Sequence, residues 1–508
     1  MLRQLFGKNI VSKYHTQTFK SIYNTVQQQS QQNAQKPLTS LKEINGWIKS
    51  IRLFKNICFI DINDGTINSS LKIVIPELVS YENSIKFLKD LKVGQSISIK
   101  DLLIQLTPTK AQQPFELKLL NDPTKSINIL GGIPAGEDFP LQKKNHTMAF
   151  LNSLPTLKFK SNYLNNLLKF RSFVDTQLIN FFNKNDFIKT TPPILTSNDC
   201  EGGGDLFTIK DSEKYFNKST YLTVSTQLHL EILALSLNRC FTISPCFRAE
   251  RSNTTRHLCE FWMLEAELCF TKDLNEVMDL VENMIRSIVN EALKNEQSLL
   301  PNYYPGDVLN KEQILERWQS LTNPASWPRI TYSDTIRLLL KQHMKEPFTN
   351  GIIPSWGMDL STEHEKWISG KYFQSPVFIT DYPKSLKPFY MKQNPPSEFK
   401  IQDNQGNIQQ TQIQNTVACF DLLVPEIGEI VGGSLREDNY KVLADEMKLR
   451  NMNKDSNLDW YLDTRRYGSV PHGGFGLGME RLLTYLYGNT NIREAIPFAR
   501  SASDNIQL

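Results

Sequence analysis

Phe247-Arg248-Ala249-Glu250-Arg251-Ser252-Asn253-Thr254-Thr255-Arg256-His257-Leu258-Cys259-Glu260-Phe261-Trp262-Met263-Leu264-Glu265 brings arginines, acids, a histidine and an aromatic ring into one short stretch. A strand ending at Arg248, a polar loop and a strand returning at Phe261 aim Arg248, Glu250 and Phe261 at one ligand. Those groups suit a bent nucleoside triphosphate beside a small zwitterion. Far downstream, Gly473-Gly474-Phe475-Gly476-Leu477-Gly478-Met479-Glu480-Arg481 adds glycine-lined backbone and one more arginine. Together the two segments read as an adenylate-forming site.

Outward from this core, the 508 residues exceed one ordinary hydrophobic core, so two or more domains are expected. No window holds the eighteen or more apolar residues that a membrane helix needs, and a soluble enzyme is expected. The formal charge of +4 is unevenly spread: of 57 basic side chains six fall within residues 1–42, which carry no acid, leaving 51 against 53 acids. RNA binding must therefore come from local patches. The acid-free head repeats Leu2, Phe6, Ile10 and Tyr14 at helical spacing, as an organelle-targeting leader does; a disordered basic tail is the alternative. The Gln-rich run from Gln27 to Gln35 reads as flexible or processed, and residues 1–37 as leader. Seven dispersed cysteines without a CxxC pair argue for reduced thiols rather than disulfides or zinc.

From 38 to 125, short alternating strands around the Asn63-Asp64-Gly65 turn, with one helical stretch near Tyr81 to Leu91, suit a five-stranded barrel of OB type. Gly131, Gly132, Pro134, Gly136 and Pro140 mark 126–145 as a linker. Residues 163–185 are amphipathic at helical spacing and run into Pro192-Pro193; by periodicity alone this is an ordinary core helix. Between 287 and 330 tyrosine, proline and tryptophan interrupt the helical pattern, which reads as a small insertion.

FRAERSNTTRHLCEFWMLEAE resembles motif 2, and GGFGLGMERLL motif 3, of the class II aminoacyl-tRNA synthetases, in the asparaginyl form of the aspartyl/asparaginyl subgroup; the likeness runs from about residue 38 to the C-terminus. It implies an α+β chain: an OB-fold β-barrel reading the anticodon, then a class II catalytic domain at 146–508, an antiparallel sheet flanked by helices. It implies ATP, L-asparagine and tRNA(Asn) as substrates, with Mg²⁺; the acid-free head points to the mitochondrial matrix. Residue by residue, Arg248 matches the arginine on the α-phosphate and substrate carboxylate, His257 and Arg481 groups at the γ-phosphate, and Phe261 the ring under adenine, beside Glu250. Asp421 and Glu429 match magnesium ligands, hard oxygens suited to that ion. Glu201 and Gln227 match residues receiving the α-ammonium. Aspartate enzymes carry a lysine where this chain has Leu230. Arg436 and Glu265 are expected to read the side-chain amide as a pair. Pro193 matches the motif 1 proline of a homodimer interface. Arg52 and Phe59 match anticodon contacts, although Phe59 in the barrel core is an equal alternative. The remaining alternatives are an aspartyl-tRNA synthetase, a tRNA-independent asparagine-forming relative, which would lack the barrel, and a catalytically silent RNA-binding relative, which would be expected to lose Arg248, Glu429 or Arg481.

Overall fold

The computed structural model describes residues 17–502 except 33–39, 79–82, 109–112, 198–205, 403–407, 453–457 and single positions 143, 145, 253 and 307. They form two compact units, Met1–Asn166 with Gln297–Gly306, and Leu167–Glu296 with Asp307–Leu508.

The first unit is a closed barrel. Strands β1 (Ser40–Leu53), β2 (Ile57–Asn63), β3 (Leu71–Pro76), β4 (Ser96–Leu106) and β5 (Phe115–Leu119) follow the order β1-β2-β3-β5-β4, and β4 pairs back with β1. In β2 the period-two pattern puts Cys58, Ile60 and Ile62 inside and Ile57, Phe59 and Asp61 outside. A sixth strand, β6 (Ile127–Gly131), continues along β4 at Ser96–Ile99, so part of the stretch expected as linker belongs to the barrel sheet. α2 (Ser84–Asp90) packs Leu88 into the same core.

The N-terminal expectation is corrected in part. Phe19–Gln32 is a helix, α1, which includes Gln27 and the glutamines up to Gln32; the earlier leader residues lie outside the described residues. Its Phe19, Ile22 and Val26 are buried in the barrel core, because a 3.6-residue period places them on one face. Asp64 of the expected turn accepts the Phe19 amide at 2.7 Å, anchoring the helix start.

The second unit is built on an eight-stranded sheet of β7 (Ile188–Lys189), β8 (Arg239–Phe247), β9 (Glu260–Cys269), β10 (Arg329–Thr331), β11 (Val377–Thr380), β12 (Cys419–Val424), β13 (Gly428–Leu435) and β14 (His472–Gly478), in the order β10-β11-β12-β13-β14-β9-β8-β7. Its centre is antiparallel, and only the two edge pairs are parallel. α3 (Asn162–Lys184) buries Leu164, Leu167, Phe170, Val174, Leu178 and Phe182. Phe170 stacks on Trp318 at 5.7 Å and meets Tyr487 at 5.1 Å. Trp318 lies on α6 (Lys311–Leu321), which packs on α5 (Leu274–Lys294). The 287–330 stretch expected as a small insertion holds the end of one core helix, a second core helix and an edge strand, with residues 297–306 grouped in the first unit. Trp318 keeps the helical stripe of Ile314 and Leu321 and donates to the Leu486 carbonyl at 2.8 Å. Among the described residues no helix is long and apolar enough to cross a membrane.

Candidate active site

β8 and β9 form the hairpin expected around the quoted stretch, pairing Phe247 with Glu260 and Cys246 with Phe261. On β9, alternate residues face one side, so Phe261, Met263, Glu265 and Glu267 all line a cavity of about 370 Å³. At about 3.3 Å per residue this rail is roughly 20 Å long. β14 packs beside it through glycines: a Cβ on Gly474 would lie 2.2 Å from the Ala266 carbonyl and 2.4 Å from the Glu267 carboxyl, so no side chain fits there. The neighbouring Gly476 and Gly478 also line the cavity.

Arg248, Glu250, His257, Phe261 and Arg481 meet at one end of the rail. The Arg248 amide bonds the Cys259 carbonyl at 3.0 Å, and its guanidinium lies over the Phe261 ring at 5.5 Å. His257 Nδ1 lies 2.6 Å from Thr254 Oγ1 and 3.1 Å from Ser252 Oγ; burial, then Arg481, holds its pKa below the ordinary value, favouring neutral imidazole. Arg256 anchors this loop through Thr362 at 2.6 Å and Glu365 at 3.0 Å. Burial pushes Glu365 up to about 7 despite Arg256, and the nearby Glu429 charge adds to that.

Asp421 on β12 and Glu429 on β13 flank Gly432, whose Cβ position lies 3.6 Å from Asp421 Oδ1 and 3.4 Å from Glu429 Oε1. Each has a resident cation. Lys387 Nζ donates to both Asp421 oxygens, at 2.9 and 2.7 Å; Arg481 donates to the Glu429 carbonyl at 2.9 Å and its carboxylate at 3.4 Å. Desolvation pushes Glu429 up, but Arg481, Lys387, Arg248 and Arg256 outweigh it and hold the carboxyl below its ordinary range. Among the described residues no group of three or more His, Cys, Asp and Glu could hold a metal by itself. Two facing carboxylates that leave further positions to phosphate oxygens nonetheless fit Mg²⁺.

At the other end, the expected amide pair is corrected. Both Glu265 oxygens are taken by Ser225 and Thr226, whose hydroxyls and, for Thr226, backbone amide donate to it at the start of α4 (Gln227–Leu237). The acid facing Arg436 is Glu267, two residues along the same rail, in a buried bidentate pair. Burial pushes Glu267 up to about 7 against the pull of Arg436, and Glu231 on the far side of that arginine adds to the shift. Glu231, wholly buried, is held ionised by Arg465, His472 and Arg436, which outweigh its desolvation. Gln227 lines the cavity and donates to Glu231 at 3.1 Å. Leu230 packs against Ala234, Cys240 and Cys269 and offers no cation there. Glu201 and its glycine loop lie outside the described residues.

Sequence reasoning missed Lys387, Arg256, Glu365 and Glu267. Glu267 had a signal in the Glu265-Ala266-Glu267 alternation and Arg256 in its place within the quoted stretch; Lys387 and Glu365 had none. It also missed Arg171 of α3, which bonds Glu480 at 2.7 Å while the other Glu480 oxygen accepts the Trp262 amide at 3.0 Å. That clasp fixes the start of α7 (Met479–Tyr487), which carries Arg481. On the barrel, Phe59 is not core: it sits on the outer face opposite Arg52, whose guanidinium lies 5.6 Å from its ring. Pro193 is exposed beside Ile194 and Leu195, close in the chain to edge strand β7.

The family of class II tRNA synthetases (D, K and N) matches residues 149–502, and the OB-fold nucleic acid binding domain matches 43–121. The chain is 50% identical to the mitochondrial asparagine–tRNA ligase of Saccharomyces cerevisiae, over 97% of each chain, and 40% identical to that of Schizosaccharomyces pombe, over 91% of this chain and 94% of the other. The crystal structure of asparaginyl-tRNA synthetase from Pyrococcus horikoshii complexed with asparaginyl-adenylate superposes with a TM-score of 0.75 at 27% identity, covering 96% of this chain and 99% of that one.

Proposed function

The chain belongs to the class II asparaginyl-tRNA synthetases, and from that premise we propose how its own residues divide the work. The reaction joins L-asparagine to ATP as asparaginyl-adenylate and passes the asparaginyl group to the 3′ end of tRNA(Asn). In the first step a carboxylate oxygen of asparagine bonds to the α-phosphorus, the bond to the bridging oxygen breaks, and diphosphate leaves. No protein nucleophile is needed, so the protein's task is alignment and charge compensation.

The observation that carries this reading is the β9 rail, with Phe261 under Arg248 at one end and Glu267 on Arg436 at the other. Phe261 stacks adenine, Arg248 grips the α-phosphate and the attacking carboxylate, and Arg481 with neutral His257 receives the outer phosphates. Asp421 and Glu429 would hold Mg²⁺, which would supply charge neutralisation on the triphosphate. Gln227 and Glu201 take the α-ammonium. Arg436 donates to the amide oxygen and Glu267, in place of Glu265, accepts from the amide nitrogen. On the barrel, Phe59 and Arg52 offer a ring and a cation to an unstacked anticodon base. Exposed Ile188, Ile194 and Leu195 around Pro193 support a homodimer through this edge. The mitochondrial relatives and the acid-free head support a matrix enzyme with its address signal ahead of α1.

Asparagine-dependent ATP–diphosphate exchange, followed by charging of tRNA(Asn), tests the reading. Exchange with aspartate alone overturns it; exchange with neither amino acid favours a silent RNA-binding protein.

A further inference from the structure

The two carboxylates that fit a magnesium ion are already neutralised from within. Lys387 spans both oxygens of Asp421, its ammonium also sitting 4.0 Å from the centroid of the Tyr382 ring; Arg481 holds Glu429. The Lys387 side chain is only 17% exposed, so it is built into the site rather than swinging in from solvent. Sequence reasoning gave Lys387 no part, and the activation chemistry above uses it nowhere.

We propose that Lys387 makes metal loading depend on nucleotide: it holds Asp421 as an internal counter-ion and gives it up to a divalent cation only when ATP brings negative charge into the pocket. The proposal rests on the reading of Asp421 and Glu429 as the magnesium carboxylates.

Charge counting supports it. Asp421 and Glu429 face Lys387 and Arg481, with Arg248 and Arg256 also acting on Glu429 and Glu365 pairing with Arg256, so a divalent ion arriving alone meets no surplus of negative charge. It must also displace a two-oxygen ammonium contact inside a low-dielectric pocket, where such contacts are strong. ATP reverses the balance. Its phosphates offer Arg481 and Lys387 new acceptors within the same cavity, which both residues line, and the released carboxylate oxygens become available together. The pairing with Tyr382 gives the ammonium a second contact while it leaves Asp421. Removing the positive charge at 387 should therefore open the site to metal without nucleotide. Keeping the charge as arginine should leave it closed.

The test is Mn²⁺ binding by electron paramagnetic resonance to the full chain, with no ATP present. The unaltered protein is expected to bind Mn²⁺ only weakly, Lys387→Met at least tenfold more tightly, and Lys387→Arg like the unaltered protein. Asp421→Asn added to Lys387→Met should abolish the gain. Tight Mn²⁺ binding by the unaltered, ATP-free protein overturns the proposal without recourse to any variant, as does a Lys387→Met protein that melts normally and binds no more tightly. Asparagine-dependent exchange by the unaltered protein is followed separately. Its loss would sink the functional reading while leaving the Mn²⁺ comparison to judge Lys387.

Discussion

Replacing Glu267 with Gln keeps the shape of the Arg436 partner and removes its charge, which isolates what the charge does against aspartate. An aspartate carboxylate about 4 Å from ionised Glu267 would be repelled by roughly 4 kcal/mol at an effective dielectric constant near 20. The protein has a cheaper escape, because burial pushes Glu267 up to about 7, so the acid can take a proton when aspartate enters. That route costs about 1.4 kcal/mol for each pH unit above 7, and being smaller than the repulsion it sets the penalty. The penalty is therefore smallest near neutrality and grows through the alkaline range. The asparagine-to-aspartate ratio of kcat/KM in diphosphate exchange should thus rise about tenfold per pH unit above 7. In Glu267→Gln the ratio should lose this slope, while Glu265→Gln should keep it, since Glu265 is spent on Ser225 and Thr226. A flat profile in the unaltered protein, or a slope lost through Glu265→Gln instead, refutes the reasoning.

Phe261→Ala should raise KM for ATP by about 5- to 150-fold, the worth of one base–aromatic stack of roughly 1–3 kcal/mol, with KM for asparagine changed far less; initial-rate exchange kinetics check it. Glu365→Gln should stabilise the protein relative to the parent at pH 8 but not at pH 4.5. Glu365 is raised to about 7 in the folded state, so its contribution is full below the ordinary carboxylate pKa and is lost as pH rises through 7; melting curves at the two pH values decide. Deleting the chain through Gln32 should lower the melting temperature sharply, because Phe19, Ile22 and Val26 each lose burial worth about 1.5–3 kcal/mol.

The nucleotide end of the site was legible because its residues lie close together in the chain, so that one hairpin register brings Arg248, Glu250 and Phe261 together. The barrel was legible from the alternation in β2 and its turn. The amino-acid end was not. Glu265 and Glu267 lie on the same face of β9, and which of them faces Arg436 depends on Ser225 and Thr226, forty positions away, capturing the first. Local charge statistics made the N-terminus look like a leader throughout, but three apolar side chains at helical spacing outweigh a glutamine-rich background once a barrel offers them a core. Trp318 keeps helical spacing with Ile314 and Leu321, and what hid this helix is the tyrosine- and proline-containing stretch ahead of it, which interrupts the pattern.

The β9 rail imposes a rule on how this site can vary. Every functional group along it shares one parity, so inserting or deleting a single residue between Phe261 and Glu267 would rotate part of the row by half a turn and present Trp262, Leu264 or Ala266 to the ligand instead. The 248–259 loop is free of that parity but not of position, since Glu250 and His257 reach the same cavity and Arg256 holds its anchor on Thr362 and Glu365. Adenine grip and amide choice are thus locked in phase like teeth on one rack, and drift in this enzyme must proceed by substitution along the strand, never by slippage.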